Sequence, residues 1–181
     1  MDTRDLRREV RKASRGDEEA AGALFDHYYP RVYRYALSRL ARSQDAEDVA
    51  AEVFARVLRR LDDFRWKGAG FEAWLFRIAY NLIVDQYRGK GREELTDPAE
   101  QADDQDPEDE LLRTETASEL MELLNTLSHD QREVLLLRFV AGLETEEIAT
   151  IMGRNANAVR QVQFRALDAM RSRLPSEDAD E

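Results

Sequence analysis

Apolar residues recur at three- and four-residue spacing along most of the chain, and no stretch sustains the alternation of a half-buried strand. The pattern predicts an all-α protein. Asp17, followed by Glu18 and Glu19, caps a helix reaching about Arg42, with Leu24, Phe25, Tyr28, Val32, Tyr35, Ala36 and Leu40 as its buried stripe. Pro30 lies inside that span and is expected to kink or split it. A second helix starts near Asp45 and lines up Val49, Val53, Val57 and Leu61 before a loop from Asp62 to Gly70. A third runs from about Phe71 to Arg88, with Phe71, Leu75, Ile78, Leu82 and Asp85 in one stripe, until Gly89 and Gly91 stop it.

Further along, Leu111 to Leu127 reads as a helix, and Ser128 with Gln131 makes a capping-box pattern ahead of Val134, Leu135, Arg138 and Phe139. Gly142 ends that helix. Thr145 to Met152 forms a short helix, Gly153 turns the chain, and Asn155 caps a last helix running to Leu174, just before Pro175.

Charge changes the picture from one body to two. The 181 residues carry 27 Lys and Arg against 38 Asp and Glu, a formal net charge of −11. That excess is local: residues 1–90 hold 18 basic and 15 acidic side chains, 91–122 hold 2 and 13, and 123–174 hold 7 and 6. The stretch TDPAEQADDQDPEDE has two prolines and no aromatic residue, so it buries too little apolar surface to offset its ordering entropy. Like charges also keep such a run extended. The expected organisation is two small helical domains, 1–89 and 113–174, joined by an acidic flexible linker over 90–112 and followed by an acidic tail, 175–181.

Composition excludes several chemistries. There is no cysteine, which removes disulfide scaffolds, thiol nucleophiles and cysteine-ligated zinc. Apolar runs such as Val134 to Leu137 fall far short of the roughly 18 residues that cross a bilayer, and MDTRDLRREVRK contains no apolar signal core. A cytoplasmic location is expected. His27 and His129 have no companion ligands in sequence, and the acidic run from Asp103 to Asp109 lacks the glycine and spacing of a calcium loop. Without a phosphate loop or nucleophile motif, the expectation is a protein that is not an enzyme and holds neither cofactor nor metal.

Residues 145–164, TEEIATIMGRNANAVRQVQF, have the spacing of a helix-turn-helix. Ala149 is small where the partner helix presses, Gly153 can take the left-handed turn, and Ile148, Met152, Val159 and Val162 close the core between the helices. Val159, Val162, Ala166 and Met170 then face inward, while Asn157, Arg160, Gln161, Phe164, Arg165 and Asp168 face outward. Such an outer row suits a recognition helix in a major groove, with Arg160 and Gln161 at base edges and Arg165 at phosphate. The same pattern fits an ordinary helical hairpin with a solvated polar face, and Arg154 stands where an apolar residue usually packs.

Three strings in the first half, YYPRVYRYAL at 28–37, DAEDVAAEVFARVLRRL at 45–61 and FEAWLFRIAYNLIVDQYR at 71–88, precede this motif. In that order and spacing they resemble a bacterial sigma factor of the sigma-70 family, in its two-domain extracytoplasmic-function (ECF) group. The resemblance covers about residues 13–89 and 115–174. It implies a factor that binds core RNA polymerase and directs transcription from particular promoters.

By that resemblance Asp45, Asp48, Glu52 and Phe54 dock on the clamp helices of the polymerase β′ subunit. A solvated acidic face is the plainer reading of the same residues. Tyr80 and Asn81 match the reader of the −10 element, with the loop Asp62 to Gly70 as the other wall of a pocket for an unstacked base. Arg65, Trp66, Lys67, Arg77 and Arg88 are the neighbouring DNA contacts, with Trp66 the exposed tryptophan and Trp74 a core one. Leu123 to Phe139 would grip the β flap tip, and Asn157, Arg160, Gln161, Phe164 and Arg165 would read the −35 element. Val162 and Gln163 depart from the family, which often has a basic residue followed by an apolar one.

The linker would thread toward the polymerase cleft. About 22 residues reach roughly 70–80 Å when extended, comparable with about 20 base pairs at ~3.4 Å each. An anti-sigma protein is a further partner the resemblance implies. Two rivals remain on the sequence alone: a helix-turn-helix regulator that binds an operator as a dimer without polymerase, and a purely protein-binding helical adaptor.

Overall fold

The computed structural model describes the backbone of residues 1–40, 42–89 and 115–173, and among these all side chains except those of 88, 89 and 115–118. Among the described residues every regular element is helical. The expected linker, the acidic tail, the start of the helix expected from Leu111, the end of the last helix at Leu174 and the Arg88 side chain lie outside them.

The first helix, α1 (Thr3–Ala13), has no counterpart in the periodicity reading. Only Leu6 and Val10 are buried in it, too few to register as a stripe among so many charges. Asp2 starts it by accepting hydrogen bonds from the Arg4 and Asp5 amides at 2.7 and 2.9 Å. Asp17 caps α2 (Glu18–Leu37) as expected, accepting from the Ala20 amide at 2.9 Å. This helix stops at Leu37 rather than near Arg42, because the Ser38 and Arg39 amides close the last turn onto Arg34 and Ala36. Pro30 does not split it. Its ring is exposed, where water can serve the carbonyl its missing N–H leaves free. Phe25 also departs from the expected core: it is exposed, stacked on Tyr29 with centroids 4.7 Å apart.

Helix α3 (Ser43–Arg60) buries Val49, Val53 and Val57 as its pattern requires, then gives way to a 3₁₀ turn, Leu61–Asp63. Helix α4 (Gly70–Gly89) buries Phe71, Leu75, Phe76, Ala79 and Ile83. Its inner face is rotated from the expected stripe, so Ile78 and Leu82 are half-buried and Asp85 is exposed.

In the C-terminal region α5 (Glu115–Asn125) leads to α6 (His129–Leu135), whose start is the expected Ser128–Gln131 capping box. The helix then widens into a π turn, Leu136–Val140, and the chain turns at Gly142 into α7 (Thr145–Met152) and α8 (Ala156–Arg171). Asn155 caps α8 through the Ala158 amide at 2.8 Å.

The two regions are not apart. Helix α4 lies against α7, α2 lies against the π turn, and one apolar cluster runs through both regions, from Leu6 and Tyr35 to Leu137 and Ile148.

Candidate nucleic-acid and polymerase interface

On α3, Asp48 is exposed, whereas Asp45 and Glu52 are half-buried. Glu52 pairs along its own helix with Arg56 at 2.7 Å and Arg59 at 3.3 Å, and the Arg56 hydrogen bond holds its carboxyl below the usual range. Phe54 points the other way. It is 5% exposed and meets Phe25 edge-on at 4.9 Å, so its side chain braces α3 on α2 and offers no surface to a partner. That corrects the expectation of a direct docking contact there.

The loop between α3 and α4 is built on aromatic rings. Phe64 takes Trp66 edge-on at 5.2 Å, lies 5.0 Å from Trp74 and meets Phe71 at 5.5 Å. Trp74 is thus half-buried packing, as expected, but Trp66 is not the free tryptophan the sequence implied. It is in edge contact with Phe64, and the Arg7 guanidinium lies over the ring, 5.1 Å from its centroid. Arg65 and Lys67 are exposed, with Arg65 donating to the carbonyls of Asp62 and Phe64 at 2.7 and 3.1 Å.

Arg77 and Asn81 stand one turn apart on the exposed side of α4. Tyr80 is half-buried and turned toward the C-terminal region, where burial and the Glu133 charge push its phenol above the ordinary value. The aromatic loop grips α4 at Trp74, about 9 Å along the helix from Tyr80 at ~1.5 Å per residue. Loop and reader pair are therefore carried by the same helix.

The turn between α7 and α8 is a helix-turn-helix. Gly153 caps α7 at φ 64°, a conformation that costs a side-chain-bearing residue. Ile148 and Val159 are fully buried between the helices, with Met152 and Val162 half-buried beside them. Arg154, the apparent misfit, is exposed and pairs with Asp130 of α6. The outer row of α8 is open: Asn157, Arg160, Gln161 and Arg165 are exposed, and Phe164 is 72% exposed. Arg160 is held across the motif by Glu146 at 2.9 Å and by Asn157 at 3.0 Å.

A polar seam fastens the two regions. Arg31 donates to Glu72 at 2.9 and 3.3 Å and to the Ala141 carbonyl at 2.6 and 3.0 Å. Burial raises Glu72, yet the hydrogen bonds and charge of Arg31, with the Tyr28 hydroxyl, outweigh it and leave the carboxyl below its usual range. Deeper in, Glu133 is fully buried, accepts a hydrogen bond from Tyr35 and lies 3.1 Å from Arg39 Nε. The Arg39 approach is a charge contact without hydrogen-bond alignment. Burial first, and the Glu133 charge second, push the Tyr35 phenol well above its ordinary value. Glu133 escaped the sequence reading, although Leu136 and Leu137, three and four residues on, already mark its face as the inner one.

Family comparison draws these parts together. Residues 24–93 match Sigma-70 region 2, and residues 117–170 match Sigma-70, region 4. The ECF RNA polymerase sigma factor SigD of Mycobacterium tuberculosis is 33% identical over 173 residues, covering 91% of this chain and 82% of SigD. The chain belongs to the ECF family of RNA polymerase sigma factors. Such a factor is not an enzyme; it directs promoter-specific initiation by RNA polymerase. BldN of Streptomyces coelicolor is 36% identical over 173 residues, and this ECF sigma factor spans 65% of BldN's length. Among solved structures, CnrH in complex with the cytosolic domain of CnrY has a TM-score of 0.71 at 26% identity, over 98% of this chain and 99% of CnrH. Among the described residues no helix is long and apolar enough to cross a membrane.

Proposed function

We propose that the N-terminal region, taken as 1–89, docks this sigma factor on core polymerase and reads the −10 element, while 113–174 reads the −35 element. The observation that carries the reading is the open row on α8, Gln161, Phe164 and Arg165, directly behind the left-handed turn at Gly153. Arg160 and Gln161 are the base-edge candidates and Arg165 a phosphate contact, with Asn157 at the head of the helix. On α4, Asn81 supplies an amide for a base edge and Tyr80 a ring for stacking, with Arg77 beside them for the backbone. Asp48 and Glu52 present charge to a basic partner helix, with Asp45 at its first turn.

Two elements about 20 base pairs apart lie roughly 70 Å from one another along DNA. Helices in one shared core cannot reach both, so we read the closed arrangement as the form off the promoter. The half-burial of Tyr80 at the seam supports this. Acidic residues 90–112 provide the length to let the regions part. The location is the cytoplasm, with the polymerase, and by analogy with CnrH, solved with the cytosolic domain of CnrY, an anti-sigma protein would hold the closed form.

Run-off transcription with purified core polymerase on a promoter library tests the reading. Transcripts from a restricted set sharing −10 and −35 sequences are expected only when the protein is added. Initiation independent of either sequence would overturn it.

A further inference from the structure

Helix α1 carries Arg4, Arg7, Arg8, Arg11 and Lys12 at helical spacing, Arg15 follows in the turn behind it, and these six line a shallow recess of about 220 Å³. Its opposite side is consumed by packing, since Leu6 and Val10 are 8% and 3% exposed against α2. The basic face is therefore the part of α1 left for a partner. Arg8 is occupied by Asp5 and Glu9 at 3.0 and 2.9 Å, and Lys12 approaches Glu9 at 4.0 Å. Among the described residues Arg4, Arg7, Arg11 and Arg15 have no carboxylate partner. In a chain of net charge −11, four arginines held this way on one surface are a concentrated exception.

Position gives the patch a meaning. Arg7 lies 5.1 Å from the centroid of Trp66, in the loop that begins the −10 reading face. From Arg4 to Arg11 the helical part of the row extends about 10 Å at ~1.5 Å per residue, and Arg15 continues it from the turn. One strand of DNA carries about three phosphates over that length at ~3.4 Å each. We propose that the basic face of α1 binds the phosphate backbone of promoter DNA that continues from the −10 loop, adding affinity without reading sequence. This rests on the −10 reading of α4 and its loop. A membrane surface is disfavoured, because the apolar side of α1 is already buried and none is left to insert.

The test uses the full chain with core polymerase and compares wild type with the triple variant Arg4→Gln, Arg11→Gln, Arg15→Gln. All three sites are exposed, and an unchanged thermal unfolding curve checks that the fold survives. Promoter affinity of the holoenzyme is measured against salt concentration, on a promoter and on the same DNA with its −10 sequence scrambled. Each lost phosphate contact should flatten the logarithmic salt slope by about 0.7 to 0.9, so a change of about 2 to 3 is expected. Affinity should fall on both DNAs by the same factor, roughly tenfold or more at physiological salt. An unchanged slope overturns the proposal, as does a loss confined to core-polymerase affinity, which would make α1 a protein contact. Asn81→Ala is run in parallel: if it alone loses −10 preference and the triple variant keeps its slope, α1 fails and the −10 reading stands. If Asn81→Ala keeps that preference, the −10 reading is what fails.

Discussion

Arg39 of the N-terminal region and Glu133 of the C-terminal region face each other 3.1 Å apart, with side chains 5% and 0% exposed. Neither charge has water to fall back on. Truncating Glu133 leaves Arg39 buried and uncompensated, a situation that costs about 3–5 kcal/mol. Glu133→Ala should lower the urea midpoint accordingly, and Tyr35→Phe, which removes only the hydroxyl partner, should cost about 1–3 kcal/mol. Equilibrium unfolding of the full chain checks both, and wild-type midpoints would refute the seam as a fastening.

The outer part of the seam should respond to pH. Glu72 is held below its ordinary value of 4.5, so its native form binds the proton less tightly than the unfolded chain does. Its contribution is complete above that value and disappears as pH falls through the lower folded-state one. Glu72→Gln should therefore be less stable than wild type by about 1–3 kcal/mol near neutrality, and the gap should close in strong acid. A gap of equal size at both extremes would show that Arg31 does not act through the Glu72 charge.

Much of this architecture was written in local pattern. The Asp17 cap, the Ser128–Gln131 box, the valine stripe of α3 and the Gly153 turn each depend on neighbours within a few residues, and they occur where the spacing predicts. What escaped depends on contacts distant in sequence. Helix α1 is ordered by packing its two apolar side chains, Leu6 and Val10, against α2, and Glu133 finds its hydrogen-bond donor in Tyr35 and its counter-charge in Arg39, about 100 residues away in sequence. Phe54, which the family resemblance assigned to a partner, packs against Phe25 of α2 instead, a contact about 30 residues away in sequence. Trp66 was legible as a loop residue, but its pairing with Arg7 across about 60 positions has no local signature.

Charge on α3 offers a sharper test of polymerase docking. Asp48→Arg with Glu52→Arg replaces attraction by repulsion toward a basic partner helix. Core-polymerase affinity should fall by at least 100-fold, while helix content and unfolding midpoint stay near wild type because neither side chain is in the core. Wild-type affinity would assign docking to another face. A collapse of helix content would mean that the Glu52 pairs with Arg56 and Arg59 matter to the fold itself.

The most direct test of two separate readers is run-off transcription with crossed promoters and variants. Wild type, Asn81→Ala and Arg160→Ala with Arg165→Ala are each assayed on a consensus promoter, one altered at −10 and one altered at −35. A lost base contact is worth about 1–3 kcal/mol, roughly 5- to 150-fold in discrimination. Asn81→Ala should lose discrimination of that order at −10 and keep it at −35, and the double variant should do the reverse. Loss at both elements in either variant, or at neither, would contradict the account.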